Sequence, residues 1–121
     1  MLTRACAGLW MMTLAIVATS ACRRSADQVP CGAVAARLLV VAQAELTAGK
    51  IDDALRQRVA MQLPALRDAV DTSCVKGDWA VEVRRCMVGA ADGATLAACQ
   101  RELTPAQRAE LDAASHRVSA P

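Results

Sequence analysis

The sequence is poor in aromatic side chains. It contains no tyrosine or phenylalanine and only two tryptophans, so aromatic residues make up 2% of the 121 positions. A protein that binds bases or sugars by stacking needs such rings, and this composition excludes a stacking platform. A block of lysine and arginine is also missing, and the formal net charge is only +2. We therefore expect no nucleic-acid partner.

Alanine dominates what is present. The chain has 27 alanines, and 55% of its residues are hydrophobic. Ala, Leu, Arg, Gln and Glu favour helices, whereas the residues that favour strands are few after the first twenty positions. The length allows one domain. We predict an all-α fold, a small bundle of about four to five helices built from two disulfide-stapled antiparallel hairpins.

The first 21 residues are organised like an export signal. Arg4 supplies one positive charge, and residues 5–18 (ACAGLWMMTLAIVA) then carry none. This run fits the 7–15 residues of a signal-peptide core and is shorter than the roughly 20 residues that span a bilayer. Small residues follow at Thr19, Ser20 and Ala21. We predict that residues 1–21 are a signal peptide.

Cys22, directly after Ser20 and Ala21, resembles the lipobox cysteine of bacterial lipoproteins. The resemblance implies that the Cys22 thiol carries diacylglycerol and that the chain is cut just before it. The family usually has Leu three residues before the cysteine, where this chain has Thr19. The alternatives are ordinary secretion, with cleavage near Ser20 or Ala21, and an uncleaved anchor.

The residues after Cys22 bear on location. In the sorting rule known for enteric lipoproteins, Asp after the lipidated cysteine retains the protein in the inner membrane, and here Arg23 stands there. The resemblance therefore implies a lipid-anchored protein of the bacterial cell envelope, at the periplasmic face of the outer membrane. Residues 22–30 have no apolar period and end in proline, so we predict a lipidated tether that precedes a helical domain over residues 31–118.

The number of cysteines agrees with lipidation. Without residues 1–21 the chain keeps five cysteines, and an odd number leaves one thiol over in an oxidising compartment. If Cys22 carries lipid, four remain for two disulfides.

Spacing suggests how those four pair. Cys86 and Cys99 lie symmetrically about the turn at residues 92–93, and Cys31 and Cys74 lie symmetrically about position 52.5, close to the loop between the first two predicted helices. We predict the bridges Cys31–Cys74 and Cys86–Cys99, one of three possible connectivities. Zinc sites and thiol-redox sites normally use more closely spaced cysteines, so these remain lesser alternatives.

Apolar residues at helical spacing predict where the helices lie. The first runs from Cys31 towards Gly49. The second begins at Asp52 or Asp53, ends at Gly77 and keeps the phase of its apolar stripe through Pro64. It should therefore be continuous but kinked. The stripe consists of Leu55, Val59, Leu63, Leu66, Val70 and Cys74.

Three shorter helices follow. We predict Asp78 as the N-cap of a third helix and a short fourth helix that contains Leu96 and Cys99. Thr104 and Gln107 form a capping box that starts a fifth helix, which we expect to fray near His116.

Two further features concern function. Trp79 lies between Cys74 and Cys86, where it is either a core residue beside the disulfides or a candidate partner-binding anchor. Residues 103–107 (LTPAQ) resemble the LTxxQ motif of periplasmic helical stress chaperones and metal-resistance sensors. More broadly, the layout of residues 74–107 is similar to small cysteine-containing envelope lipoproteins.

The sequence offers no nucleophile–base pair and no metal constellation. Its single histidine, His116, lies in a polar segment where nothing would hold an imidazole for catalysis. We expect no catalytic residue, metal or cofactor. The expected function is a non-enzymatic interaction or structural module that contacts the membrane through its lipid and another envelope protein through its surface. The alternative is a periplasmic chaperone or stress sensor of the LTxxQ type.

Overall fold

The computed structural model describes residues 28–120, and within them the chain forms five helices and no strand. The helices are α1 (Cys31–Ala48), α2 (Asp53–Lys76), α3 (Val81–Gly89), α4 (Gly93–Gln100) and α5 (Pro105–Ser119). The all-α prediction is confirmed. The predicted signal peptide, Cys22 and most of the predicted tether lie outside the described residues.

Helix α2 is the centre of the bundle. Helix α1 packs antiparallel to it, because Cys31 at the start of α1 is bonded to Cys74 near the end of α2. Helix α5 also runs antiparallel to α2 on another side. There the Gln107 side-chain amide donates a hydrogen bond of 2.8 Å to the Gly77 carbonyl, which follows the last residue of α2.

The α3–α4 hairpin packs against α1. The Arg37 side chain in α1 donates a hydrogen bond of 2.6 Å to the Ala90 carbonyl that follows α3. One turn short of the end of α1, the Glu45 carboxylate accepts a hydrogen bond of 2.8 Å from the Gly93 N–H at the start of α4. A cation and a carboxylate of α1 therefore fix both ends of the α3–α4 turn.

Both predicted disulfides are present. The pairs Cys31–Cys74 and Cys86–Cys99 each have Cα atoms 5.7 Å apart. They close loops with sequence separations of 43 and 13 residues. Each bridge joins residues at the same height on adjacent antiparallel helices, which is the geometry that the spacing predicted.

Several predicted helix boundaries are confirmed. The Asp52 side chain caps α2 by accepting a hydrogen bond of 2.9 Å from the Leu55 N–H. Both halves of the capping box between Thr104 and Gln107 are formed at the start of α5. Helix α2 continues without interruption through Pro64. The bend of its axis there stays a prediction.

The predicted role of Asp78 is wrong. Asp78 has a φ of +45° and caps no helix, since α3 begins three residues later with Ala80 as its N-cap. The Asp78 N–H donates to the Val75 carbonyl, and the Trp79 N–H donates to the Cys74 carbonyl. These two bonds form a Schellman motif that ends α2, with Asp78 in the left-handed position that usually holds glycine.

Trp79 is a core residue. Its side chain is only 1% exposed, and it packs in one cluster with Cys74, Met87, Cys99 and other residues of all five helices and the linking segments. The role of an exposed partner-binding anchor is therefore excluded, because a fully buried indole presents no surface to a partner. The core interpretation of Trp79 is confirmed.

The last helix differs from expectation. Helix α5 does not fray at His116 but continues to Ser119, and the Ala120 N–H still donates to the His116 carbonyl. His116 itself is exposed, as predicted. Packing of Leu111 and Ala114 against the rest of the bundle holds this helix in place although its own sequence is only weakly amphipathic.

Helix α1 is long and apolar enough to cross a membrane, judged by its length and composition alone. Val34, Ala35 and Val41 are buried in the bundle, and Cys31 is bonded to α2. These buried residues make up 17% of the helix, which packs against α2 and against the α3–α4 hairpin.

Candidate functional site: an apolar groove on the helical arm

The α1–α2 pair extends beyond the rest of the bundle. Helix α5 accompanies α2 only over residues 68–76, since Arg117 and Val118 near its end lie beside Asp68 and Ala69. The remaining part of the pair, residues 42–66, forms an arm with no disulfide and no third long helix along it. We call this part the arm.

The arm carries an open groove of about 400 Å³. Glu45 is the only lining residue with a polar side chain. The groove is lined by Ala42, Glu45, Leu46, Gly49, Ile51, Val59, Leu63 and Leu66. We call this surface the groove.

Side-chain exposure shows how the groove is built. Leu63 forms its floor and is 4% exposed. Leu46, Val59 and Leu66 are half-buried on its walls. Leu55, one turn before Val59 and outside the lining, is 38% exposed. Within the α2 stripe, Leu63, Val70 and Cys74 are therefore buried, whereas Leu55, Val59 and Leu66 keep contact with solvent. Apolar side chains left half-covered in a continuous concave surface are typical of interaction sites.

Charged residues border the groove on opposite edges. Glu45 lies on the α1 edge, where it is also bonded to the Gly93 N–H. Arg58 directly precedes the groove residue Val59 on α2 and is exposed, so it lies beside the lining rather than in it. The groove thus has an acidic edge on one helix and a basic edge on the other.

Arg56 closes the loop end of the arm. Its guanidinium donates to the carbonyls of Leu46, Gly49 and Ile51 at 3.2–3.3 Å and pairs with Asp53 at 3.1 Å. These bonds satisfy carbonyls at the end of α1 that have no partner within the helix. Arg56 is half-buried and fixes the loop that closes the arm.

A second, polar cleft of about 330 Å³ lies between α2 and α5. Glu110 pairs there with Lys76 at 3.7 Å and with Arg117 at 3.5 Å. The side chains of Lys76 and Arg117 are each 66% exposed, so water competes for both ion pairs. This cleft is a solvated seam between two helices and is a weaker candidate than the groove.

The residues of the LTPAQ motif have structural roles. Leu103 is buried in the core, and Thr104 caps α5. The Gln107 side chain accepts from the Thr104 N–H and donates to the Gly77 carbonyl, which links the start of α5 to the end of α2. All three identifying side chains of the motif are thus engaged within the fold.

Asp92 caps α4 at the turn between Cys86 and Cys99. Its carboxylate accepts a hydrogen bond of 2.8 Å from the Thr95 N–H. This backbone hydrogen bond, helped by the Thr95 side chain, holds the pKa of Asp92 below its usual value. The carboxylate is solvent-exposed and has no neighbour suited to acid–base chemistry, so its role is to start the helix.

Sequence reasoning missed how the chain enters the bundle. The Val29 carbonyl accepts a hydrogen bond from the Arg84 guanidinium, and the Val29 side chain packs against the core. The predicted tether extends to residue 30, but in the structure the chain is already fixed at residue 29. No local pattern distinguishes the half-buried Arg84 from the exposed Arg85 beside it.

Other site chemistry is limited in residues 28–120. No three His, Cys, Asp or Glu side chains lie close enough together there to hold a metal ion. Comparison with known protein families, with curated proteins and with solved structures finds no match to this chain. The groove on the arm is therefore the feature on which a functional proposal rests.

Proposed function

We propose that this protein is a lipid-anchored envelope lipoprotein whose helical domain is a non-enzymatic interaction module that docks a partner in the groove. The observation that carries the proposal is the arm itself. An apolar trough between two antiparallel helices accepts a further helix, and helices already fill the neighbouring sides of the same α1–α2 pair where the core lies.

The number of cysteines supports a lipid anchor at Cys22. Of the five cysteines after residue 21, four are used in the two disulfides, which leaves Cys22 as the odd one. A cysteine that follows small residues at the end of an apolar run is the expected site for lipid attachment. We therefore keep Cys22 as the proposed lipid-attachment residue.

The short tether would place the arm away from its anchor point. Only residues 23–28 separate Cys22 from the fixed Val29, and six extended residues reach at most about 20 Å. Helix α1 starts beside this point and is about 27 Å long at 1.5 Å per residue. The Cys31–Cys74 end is thus held near the membrane, while the groove lies towards the far end of α1.

The anchor is tested on protein purified from membranes. Mass spectrometry of the mature N-terminus should find diacylglycerol on Cys22, and Cys22→Ser should abolish the modification. An unmodified Cys22, or cleavage at another position, would refute the anchor. The secreted domain could still bind partners, so this result leaves the groove to be tested separately.

The groove is tested by photo-crosslinking in intact cells. A photoreactive residue at position 59, on the groove wall, should form a specific protein adduct. The same residue at position 61 is the matched control, because Met61 is 67% exposed on α2 but does not line the groove. Equal crosslinking at both positions, or no adduct at either, would refute docking in the groove.

The chaperone alternative rests on the same apolar groove, which is the kind of surface that retains unfolded apolar segments. It gains nothing from the LTPAQ motif, whose side chains are engaged in the fold. A chaperone would suppress aggregation of several unrelated unfolded proteins, and Val59→Glu would remove this activity. A docking module would form one defined complex instead.

A further inference from the structure

We propose that the occupant of the groove is a second copy of this chain anchored in the same membrane. The inference rests on the proposed function and names its partner. Two arms would pack face to face around a two-fold axis that runs along the helices, so that α1 of each copy covers α2 of the other. Such an interface uses the same surface twice and closes on itself.

The register of α1 and α2 makes the two faces compatible. Cys31 lies beside Cys74, and the Leu46 carbonyl lies beside Arg56. Counting from the disulfide places Glu45 level with residue 60 of α2, and counting from the Arg56 bond places it level with residue 57, so Arg58 lies within about 3 Å of the height of Glu45 at 1.5 Å per residue. The acidic and the basic edges of the groove are thus level with each other.

Charge complementarity follows from this register. When α1 faces α2 of the other copy, Glu45 meets Arg58 of the other copy, and the symmetry axis repeats the pair on the opposite edge. The Glu45 carboxylate uses Oε1 for the Gly93 N–H, which leaves Oε2 for a further donor. Two ion pairs would then flank a centre of Leu46, Val59 and Leu66, an apolar centre with a charged rim.

The size of the arm explains why the membrane matters. A face two helices wide and fourteen α2 residues long measures about 20 Å by about 20 Å. Two such faces bury about 800 Å² together, which is below the range of stable dimers in solution. Copies that share a bilayer have a much higher effective concentration, and this favours a weak symmetric contact. The short tether also keeps both arms at the same height.

The test exchanges the two charges. Lipidated protein reconstituted into vesicles is labelled with donor and acceptor dyes, and energy transfer reports association. Wild-type protein should associate, whereas Glu45→Arg alone and Arg58→Glu alone should each weaken association about tenfold, because like charges would then face each other twice. A mixture of the two variants, or the double variant, should restore it. Arg85→Glu, an exposed change on α3, is the matched control and should have no effect.

Each outcome has a defined meaning. In the mixture, the proposed pairing brings position 45 of the Glu45→Arg copy to position 58 of the Arg58→Glu copy, so opposite charges meet again. Restored association in the mixture therefore supports the two-fold arrangement. No transfer for wild-type protein, or single variants that associate as well as wild type, would overturn the inference. If position 59 crosslinks to a different envelope protein, the proposed function stands and this inference fails. Circular dichroism of each variant verifies that the fold is kept.

Discussion

At the scale of single residues, Gly77 occupies a crowded position at the end of α2, between Ser73 and Trp79. A Cβ atom at this position would be 2.9 Å from the Ser73 carbonyl oxygen and 2.9 Å from Nε1 of Trp79. Neither neighbour can move freely, because one is helix backbone and the other is a buried ring. We expect Gly77→Ala to lower the free energy of unfolding by about 1–3 kcal/mol.

Gly89 provides the control for this prediction. It ends α3, and a Cβ there would meet nothing within 4 Å. Gly89→Ala should therefore be neutral or slightly stabilising. Thermal melts followed by circular dichroism measure both variants, and equal melting temperatures would contradict the proposed clash with Trp79.

Asp78 gives a prediction of opposite sign. A non-glycine residue at φ +45° costs conformational energy that glycine does not. We expect Asp78→Gly to raise the free energy of unfolding by about 0.5–1 kcal/mol. The same change at Asp112, an exposed position within α5, should instead lower it slightly, because glycine is a somewhat weaker helix former than aspartate. If both variants were destabilised, Asp78 would have a role other than ending α2.

Asp92 makes stability depend on pH at the low end. Hydrogen bonding lowers the pKa of Asp92 in the folded state. Its carboxylate therefore stabilises the folded protein fully above the pKa of an unfolded aspartate, near 3.9. The contribution is lost as the pH falls through the lower folded value. Asp92→Asn keeps a capping side chain without the titration, so its melting temperature should fall less than that of wild type between pH 7 and pH 2. Identical losses in both proteins would contradict this role.

Which residue roles could be predicted from the sequence depends on the range of the contacts. Asp52 and Thr104 cap helices through residues three positions away, and such local signals were interpreted correctly. Asp78 was misinterpreted because an aspartate between two helices suits either the end of one or the start of the next. Arg56 and Arg84 bind carbonyls that only the folded chain brings to them.

At the scale of helices, the sequence carried more information. The apolar stripe of α2 kept its phase through Pro64, and this continuity predicted one helix correctly. Both disulfides followed from symmetry about two turns, since antiparallel neighbours bring such residues to the same height. Periodicity shows which side chains share a face but not how far a neighbour covers them, and Leu55, the first residue of the stripe, is 38% exposed.

The two disulfides should contribute similar free energies. Loop closure gives about 4 kcal/mol for the Cys31–Cys74 separation and about 3 kcal/mol for Cys86–Cys99, a difference of only about 1 kcal/mol. Replacing either pair by alanine should lower the melting temperature by comparable amounts and leave the helical circular dichroism spectrum. Loss of helicity in one variant alone would show that its bridge is required for folding rather than only for stability.

At the scale of the whole molecule, the groove could not be foreseen. It exists because α5 ends beside Asp68 and α4 begins level with Glu45, so neither helix covers the first half of α2. The positions where α5 ends and α4 begins depend on how the helices pack against one another, and the apolar periodicity of α2 does not predict them. The predicted disulfide-stapled helical bundle is confirmed, and the arm is a feature of that bundle that the sequence did not predict.

The contrast between the core and the arm predicts that local stability differs along the single helix α2. Residues 70–75 of α2 pack against α1 and α5 and include the bonded Cys74, whereas residues 57–62 pack against α1 alone. In the isolated domain, amide hydrogens of residues 57–62 should exchange at least about tenfold faster than those of residues 70–75, because less buried surface opposes their opening. Hydrogen exchange followed by mass spectrometry measures both segments in one experiment.

On vesicles at high surface density, a second copy on the groove should slow exchange in residues 57–62 and leave residues 70–75 unchanged. Equal protection of the two segments in the isolated domain would show that the arm is held by the whole bundle and that its exposed groove is not a weak point of the fold.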